Sequence, residues 1–429
     1  MKSASNWREQ HQNHFLKKER FQSLPNTASL LFYLTCLTIL CSFYLIYYPT
    51  NIKYSTNTQE YNQTNTTAVV QPKNDSENCN LFEGQWIQDA RGSLYTNHSC
   101  TTIPYKTNCF LHGRKDTDFL NWRWKPNKCD IPRFSPQTFL TAVKGKTMAF
   151  IGDSIARNQM QSLLCLLSMV ETPKAVNKDA DNRVTTWEFP KHNFTLMAFW
   201  SQFLVTSTER VINGSATGGF DLHLDRIDTN WSEKLPSIDY AVFSDAHWFF
   251  RQNYLYVGGN LIGCVYCQVP NVTDLGPIFA IKKAFRAAFK EINNCKNCKK
   301  IFTLLRTYSP SHFENGTWNT GGGCNRTRPI EREEVNEGGS DLEYRKIQVE
   351  EIENAKSAGE ESGNMFEILD VTEIMSMRPD GHPGVYWGNR WMKGYSDCIH
   401  WCLPGPIDTW NELLFEMIKR KATETEAQL

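Results

Sequence analysis

An apolar run, Thr147-Met148-Ala149-Phe150-Ile151, stops at Gly152-Asp153-Ser154 and gives way to a helix-like stretch from Ile155 to Met169. This pattern reads as strand, sharp turn and helix, with Ser154 at the turn. Such a turn presents a hydroxyl at the end of a strand, next to the unpaired N–H groups that open a helix. From Lys144 onward strand-like and helix-like segments keep alternating, the signature of a layered α/β domain. Strands are predicted at Thr147 to Ile151, Asp239 to Ser244, Lys300 to Tyr308 and Met365 to Val371. Helices are predicted at Ile155 to Met169, Ile278 to Ile292, Asp341 to Lys356 and Ile407 to Arg420. The expected fold class is α/β, a three-layer sandwich with a mainly parallel central sheet and active residues at its strand ends.

A second segment, Asp397-Cys398-Ile399-His400, lies almost 250 positions downstream of the first. A serine hydroxyl is a weak nucleophile until a neighbouring base takes its proton. His400 suits that task, with an ordinary pKa of about 6.5. Asp397, three residues before it, is placed to fix the imidazole tautomer and stabilise the imidazolium. Ser154, Asp397 and His400 thus form a complete set for acyl transfer, and the helix N-terminus after Ser154 offers N–H groups to a developing oxyanion. Taken singly, Gly-Asp-Ser is also a common turn tripeptide and Asp-x-x-His is unremarkable. Their order, serine first and Asp-x-x-His near the chain end, resembles the serine hydrolase group named for its Gly-Asp-Ser motif.

The resemblance narrows with Cys79-Asn80-Leu81-Phe82-Glu83-Gly84-Gln85-Trp86, Trp122-Arg123-Trp124-Lys125-Pro126, Ile131-Pro132-Arg133-Phe134 and the stretch Asp397 to Pro406. With Gly152-Asp153-Ser154, these resemble the trichome-birefringence-like family of plant polysaccharide O-acetyltransferases over residues 79 to 418. The resemblance implies that Ser154, Asp397 and His400 are a catalytic triad, that the acceptor is a cell-wall glycan, and that the enzyme works in the Golgi. It further implies disulfides joining Cys79 to Cys129, Cys100 to Cys165, Cys109 to Cys402 and Cys324 to Cys398. The segment Arg306 to Cys324 resembles the xyloglucan branch of the family more than the xylan branch. Galactosyl side chains of xyloglucan are then the expected acceptor, with mannan next.

Other features bear on compartment. Ala28 to Tyr48 is a run of 21 residues without a charge, long enough to span a hydrocarbon core. Lys2, Arg8, Lys17, Lys18 and Arg20 outnumber Glu9 and Glu19 before it, which favours a cytosolic N-terminus. The reading is a cytosolic tail at 1–27 and a single-pass type II signal anchor at 28–48 in the Golgi membrane. A cleaved signal peptide competes, but the run is longer than a typical h-region and no small-x-small site follows it. Residues 49–78, rich in Asn, Thr and Gln, read as a glycosylated stem. Residues 79–140 read as a small disulfide-held N-terminal lobe, 141–421 as the catalytic domain and 422–429 as a C-terminal tail. Ten Asn-x-Ser/Thr sequons begin at Asn62, Asn65, Asn74, Asn97, Asn193, Asn213, Asn230, Asn271, Asn315 and Asn325, in keeping with a lumenal glycoprotein. Of 14 cysteines, Cys36 and Cys41 lie in the apolar run, which leaves an even set of twelve. Cys264-x-x-Cys267 and Cys295-x-x-Cys298 have zinc-ribbon spacing, yet an oxidising lumen favours disulfides, and no metal site is expected.

Lys and Arg total 46 and so do Asp and Glu, so no basic field exists to gather nucleic acid. A neutral polymer suits such a surface better. Trp122, Trp124, Trp248, Trp387, Trp391 and Trp401 are candidates to stack on sugars, of which two or three are expected to line a groove, the rest being core.

Arg157 and Asn158, one turn after Ser154, are candidate oxyanion or substrate donors alongside Gly152 and Asp153, with a plain helix-surface role as the competing reading. Asp245-Ala246-His247-Trp248 ends a predicted strand where the broader hydrolase group usually supplies an asparagine. That asparagine is missing, and His247 is the candidate in its place. Asp380-Gly381-His382-Pro383-Gly384 reads as a turn, with His382 positional. Residues 311 to 340, which hold Gly321-Gly322-Gly323 and a charged run from Glu331 to Glu337, read as a surface excursion.

The leading expectation is a hemicellulose O-acetyltransferase that works through an acetyl-serine. The same triad also suits a carbohydrate acetyl esterase, because water resolves the same intermediate. A glycan-binding protein with a vestigial triad is a third reading, opposed by the intact Ser154, Asp397 and His400. No acetyl-CoA motif is visible. The expected donor is acetyl-CoA or another acetyl carrier, with a membrane protein that supplies acetyl as an expected partner.

Overall fold

The structure is a computed structural model that describes residues 79–178, 183–335, 339–359, 363–388 and 394–427. The expected anchor at 28–48, the expected tail before it and stem after it, Trp391 and part of the Glu331 to Glu337 run lie outside the described residues. Among the described residues no helix is long and apolar enough to cross a membrane.

A seven-stranded sheet organises the described chain. Its strands are β3 (Thr147–Gly152), β4 (Lys174–Lys178), β5 (Val184–Phe189), β6 (Phe194–Trp200), β9 (Tyr240–Ser244), β12 (Phe302–Arg306) and β13 (Met365–Leu369), in the order β13-β12-β9-β3-β6-β5-β4. The pairs from β13 through β6 are parallel, whereas β5 and β4 continue the sheet antiparallel. The sheet is therefore mixed, and its parallel part consists of the four predicted strands and β6, which was not predicted. The four predicted strands and four predicted helices all form, their ends displaced by up to seven residues.

β3 is buried along almost its whole length, which explains its unbroken apolar run. Met148 and Phe150 point into one core and Ala149 and Ile151 into another, the period of two expected of a strand. The first core is closed by α1 (Pro136–Ala142), α2 (Ser154–Ser168) and α7 (Asp408–Ala427), through Phe139, Leu163, Leu167, Trp410 and Leu414. The second is closed by α4 (Gly276–Asn294) and α5 (Ser340–Gly359), through Ala284, Phe285, Phe289, Ile347 and Ile352. Two short α-helices, α3 (Thr229–Ser232) and α6 (Thr372–Ser376), are the remaining α-helices among the described residues.

A second sheet was not foreseen. β7 (Val205–Ile212), β8 (Ser215–Ile227), β10 (Asn253–Val257) and β11 (Asn260–Val265) pair in the order β11-β10-β8-β7. Phe220, Leu222 and Leu255 send its inner face into the second core, beside Ile151 and Phe243.

Before the sheet, β1 (Gly84–Gln88) pairs antiparallel with β2 (Trp122–Pro126). Trp86 meets Trp124 edge-on, and Trp124 Nε1 donates to the Leu81 carbonyl at 2.9 Å. Leu81, Tyr95, Trp124, Ile131 and Phe134 belong to the same core cluster as Met148 and Phe150, while Cys109 and Phe119 form a small separate cluster with Cys402. Bridges Cys79–Cys129, Cys100–Cys165 and Cys109–Cys402 staple it internally, to α2 and to the chain after His400.

Candidate active site

β3 and β9 run side by side, and Gly152 at the end of β3 sits against Ser244 at the end of β9. A Cβ at Gly152 would lie 1.8 Å from the Ser244 carbonyl oxygen, and its φ of +143° is one that other residues rarely adopt. Glycine is required there. Asp153 follows as the N-cap of α2 and accepts from Ile155 N at 2.9 Å. Ser154 is then the first residue of the helix.

Asp153 does more than cap. Its other oxygen accepts from the backbone N–H groups of Ala246 and His247, both at 3.3 Å, and lies 3.5 Å from His247 Nδ1. Burial pushes this carboxyl up, but the hydrogen bond and charge of His247 and the charge of Arg306 hold it at about 2. Arg306 is buried at the end of β12, where burial lowers its guanidinium to about 10 against the pull of Asp153 and Asp245. Burial and the Asp153 charge raise Asp245 well above the usual carboxylate range. The strand ends beneath Ser154 thus bring two carboxyl groups and one guanidinium together, with ionisation favoured at Asp153 and opposed at Asp245.

Asp397 and His400 come from the loop between α6 and α7. His400 Nδ1 donates to Asp397 Oδ2 at 2.8 Å, and Asp397 Oδ1 accepts from the N–H groups of Ile399 and His400 at 3.1 and 3.0 Å. Burial pushes Asp397 up, yet the His400 charge and these bonds bring it to about 2. For His400 burial works downward, and the Asp397 charge and hydrogen bond more than offset it, so its pKa rises.

Ser154, Asp397 and His400 line one cavity of about 760 Å³. Its walls are strongly aromatic, with Trp200, Trp248, Phe313, Trp318, Trp387 and Tyr395. Of the tryptophans singled out from sequence, Trp248 and Trp387 line this cavity. Trp124 and Trp401 are buried in the core, and Trp122 lines a different cavity of about 260 Å³. Trp200 and Trp318 were not foreseen. Trp200 ends β6, a strand that the sequence reading lacks, and Trp318 lies in the segment read as a surface excursion.

Arg157 lines the cavity, its guanidinium stacked over the Trp200 ring at 4.7 Å. Asn158 lines the same cavity, and its amide group also holds the loop. Its Oδ1 accepts from Trp401 N at 2.8 Å and its Nδ2 donates to the Trp401 carbonyl at 3.3 Å, so it pins the serine helix to the residue after His400. His247 has both nitrogens engaged, Nε2 donating to the Ser309 carbonyl at 3.1 Å and Nδ1 near Asp153, and its ring stacks on Tyr308. It builds the cavity wall.

Cys324–Cys398 and Cys109–Cys402 close two residues to either side of His400. Cys264–Cys267 and Cys295–Cys298 close locally. His382 is buried, with Nδ1 donating to the His400 carbonyl at 2.7 Å and Nε2 2.7 Å from His312 Nδ1. His312 was missed as a site residue. It stands at the start of the segment read as a surface excursion, and the start of that segment is built into the wall while Glu314 to Arg328 is largely exposed.

Residues 131–417 match the family model described as the GDSL/SGNH-like acyl-esterase family found in Pmr5 and Cas1p, and residues 77–130 match the PMR5 N-terminal domain. The chain is 54% identical to xyloglucan O-acetyltransferase 4 of Populus trichocarpa, covering 94% of this chain and 95% of that protein. It is 53% identical to xyloglucan O-acetyltransferase 2 of Arabidopsis thaliana, over 82% of this chain and 84% of that one. Protein trichome birefringence-like 20 of the same plant is 42% identical, over 80% of this chain and 72% of that one. A serine at a strand-to-helix turn, sharing a cavity with an aspartate-held histidine, belongs to the family that these matches identify: the chain is a member of the GDSL/SGNH-like acyl-esterase family found in Pmr5 and Cas1p.

Proposed function

We propose that this chain is a polysaccharide O-acetyltransferase that moves acetyl to xyloglucan through an acetyl-serine. The observation that carries the reading is the 2.8 Å Asp397–His400 bond on the cavity that Ser154 also lines. The relatives named xyloglucan O-acetyltransferase support the acceptor. Ser154 Oγ attacks the acetyl carbonyl carbon of the donor while its proton passes to His400 Nε2. The bond to the donor's leaving group breaks, and that group takes the proton from His400. A sugar hydroxyl then gives its proton to His400 and attacks the acetyl-serine, whose Oγ departs and recovers the proton. Asp397 stabilises the imidazolium in both steps. The Ser154 N–H at the helix N-terminus and the Arg157 guanidinium are the proposed oxyanion donors. The cavity's aromatic walls suit sugar faces, and galactosyl side chains are the proposed acceptor. The enzyme works in the Golgi lumen, anchored through residues 28–48 and glycosylated, and receives acetyl from acetyl-CoA or another carrier.

Hydrolysis is the second reading, because the family description itself names acyl-esterases. Incubating the full chain with an activated acetyl ester and xyloglucan oligosaccharides, then measuring acetylated sugar and free acetate, separates the two. Acetylated oligosaccharide in excess over acetate is expected, and acetate alone would assign the esterase.

A further inference from the structure

His400 is held from behind as well as through Asp397. Its carbonyl accepts from His382 Nδ1 at 2.7 Å, His382 Nε2 lies 2.7 Å from His312 Nδ1, and His312 Nε2 donates to the Ser376 carbonyl at 3.0 Å. The His312 backbone N–H also donates to the Cys398 carbonyl at 3.1 Å, so the two histidines belong to the packing of the Asp397–His400 loop. His382 stacks on the buried Trp401 ring, with centroids 4.1 Å apart.

A carbonyl oxygen only accepts, so His382 Nδ1 and His312 Nε2 must each carry a hydrogen. A neutral imidazole has only one N–H. Both rings therefore use their hydrogens at the outer ends, and the facing nitrogens, 2.7 Å apart, would oppose lone pair to lone pair. The three contacts need three protons, and two neutral rings bring two. We propose that His312 and His382 are positioning residues that share a third proton, an imidazole–imidazolium pair that fixes the backbone of His400.

Several groups bear on that charge. Asp380, Asp397 and Glu314 favour it, while Arg326 and His400 oppose it. Burial also opposes it and draws both imidazoles below the ordinary value. Against burial stands the alternative, two buried lone pairs in van der Waals contact, equivalent to leaving polar groups unsatisfied. Asp380 is itself held by Arg378 at 2.8 Å, and Arg114 donates to the His382 carbonyl at 3.0 Å, so the neighbourhood is built to keep the pair in place.

The test uses the full chain labelled with ¹⁵N-histidine, the ring signals being assigned from His312→Gln and His382→Gln. At roughly pH 6.5, three of the four ring nitrogens of the pair are expected to be protonated. Two protonated nitrogens would overturn the proposal. This readout does not use activity, so it stands apart from the acetyltransferase reading on which the functional part rests. With activity as readout, His312→Leu removes the shared proton and is expected to lower kcat roughly tenfold with little change in KM. His312→Gln donates an amide N–H to a neutral His382 and is expected to recover most of that loss. Wild-type kcat should fall on the alkaline side as the shared proton leaves, and the glutamine variant should lack that limb. Equal losses in both variants, or the same alkaline limb in both, would also overturn it.

Discussion

The two halves of the site are built in different ways. Ser154 is placed by its immediate neighbours: β3, Gly152, the Asp153 cap and the first turn of α2. His400 is placed by partners far away in sequence. Cys324 and Cys109 are bridged across 74 and 293 residues, Asn158 reaches Trp401, and His382 reaches the His400 carbonyl. A nucleophile on a strand-to-helix turn needs only local geometry, whereas a base on an irregular loop must be strapped to the rest of the molecule. The halves meet at Asn158, which sits one turn after Ser154 and holds the residue after His400.

This contrast can be broken at either half. The largest effect is expected from Ser154→Ala, a loss of acetyl transfer on the order of 10⁶-fold with folding intact. Thermal unfolding alongside the rate assay checks both. Asp397→Asn should cost about 10⁴-fold by presenting the wrong tautomer. It also removes the charge that raises His400, so the acidic limb of the pH–rate profile should move to lower pH. The sign follows because His400 acts as a base only when neutral, and without Asp397 it loses its proton at a lower pH. Breaking the Cys324–Cys398 bridge by serine at both positions is expected to cost roughly 4 kcal/mol of stability, from loop length alone, and to lower kcat as well. Asn158→Leu should cost about 1–3 kcal/mol by leaving the Trp401 amide and carbonyl unpaired, with kcat falling more than KM changes. The smallest effect on catalysis is expected at Cys264–Cys267, which spans only 3 residues. Serine at both positions should cost roughly 2 kcal/mol and leave kcat unchanged.

The same contrast governs what could be read from the amino-acid order. β3, α2, β9 and β12 were legible because they are buried and announce themselves as apolar runs or helical periods. β6 is as central in the sheet, yet Phe194–Trp200 was not recognised, because it follows two antiparallel strands in place of a helix. β7 and β8 were illegible for another reason. β7 is largely exposed along its outer part and shows no alternation, whereas β8 alternates only over Phe220-Asp221-Leu222-His223-Leu224-Asp225, after an exposed Gly-rich start that reads as a turn. Ser154, Asp397 and His400 were legible as residue types. The partners of Asn158 and His247 were not, since Trp401 and Ser309 lie far from them in sequence. His312 lies in the Arg306 to Cys324 segment, but its pairing with His382 left no signal, because that partner lies 70 residues on and only the folded loop brings the rings together.

The account turns on a covalent bond at Ser154, and peptide mass spectrometry reads that bond directly. After brief exposure to an activated acetyl ester, the peptide containing Ser154 should carry one acetyl group. Adding xyloglucan oligosaccharide should remove it and deliver an equal amount of acetyl to sugar. Acetylated oligosaccharide formed with Ser154 never modified, or formed equally well by Ser154→Ala, would contradict the account.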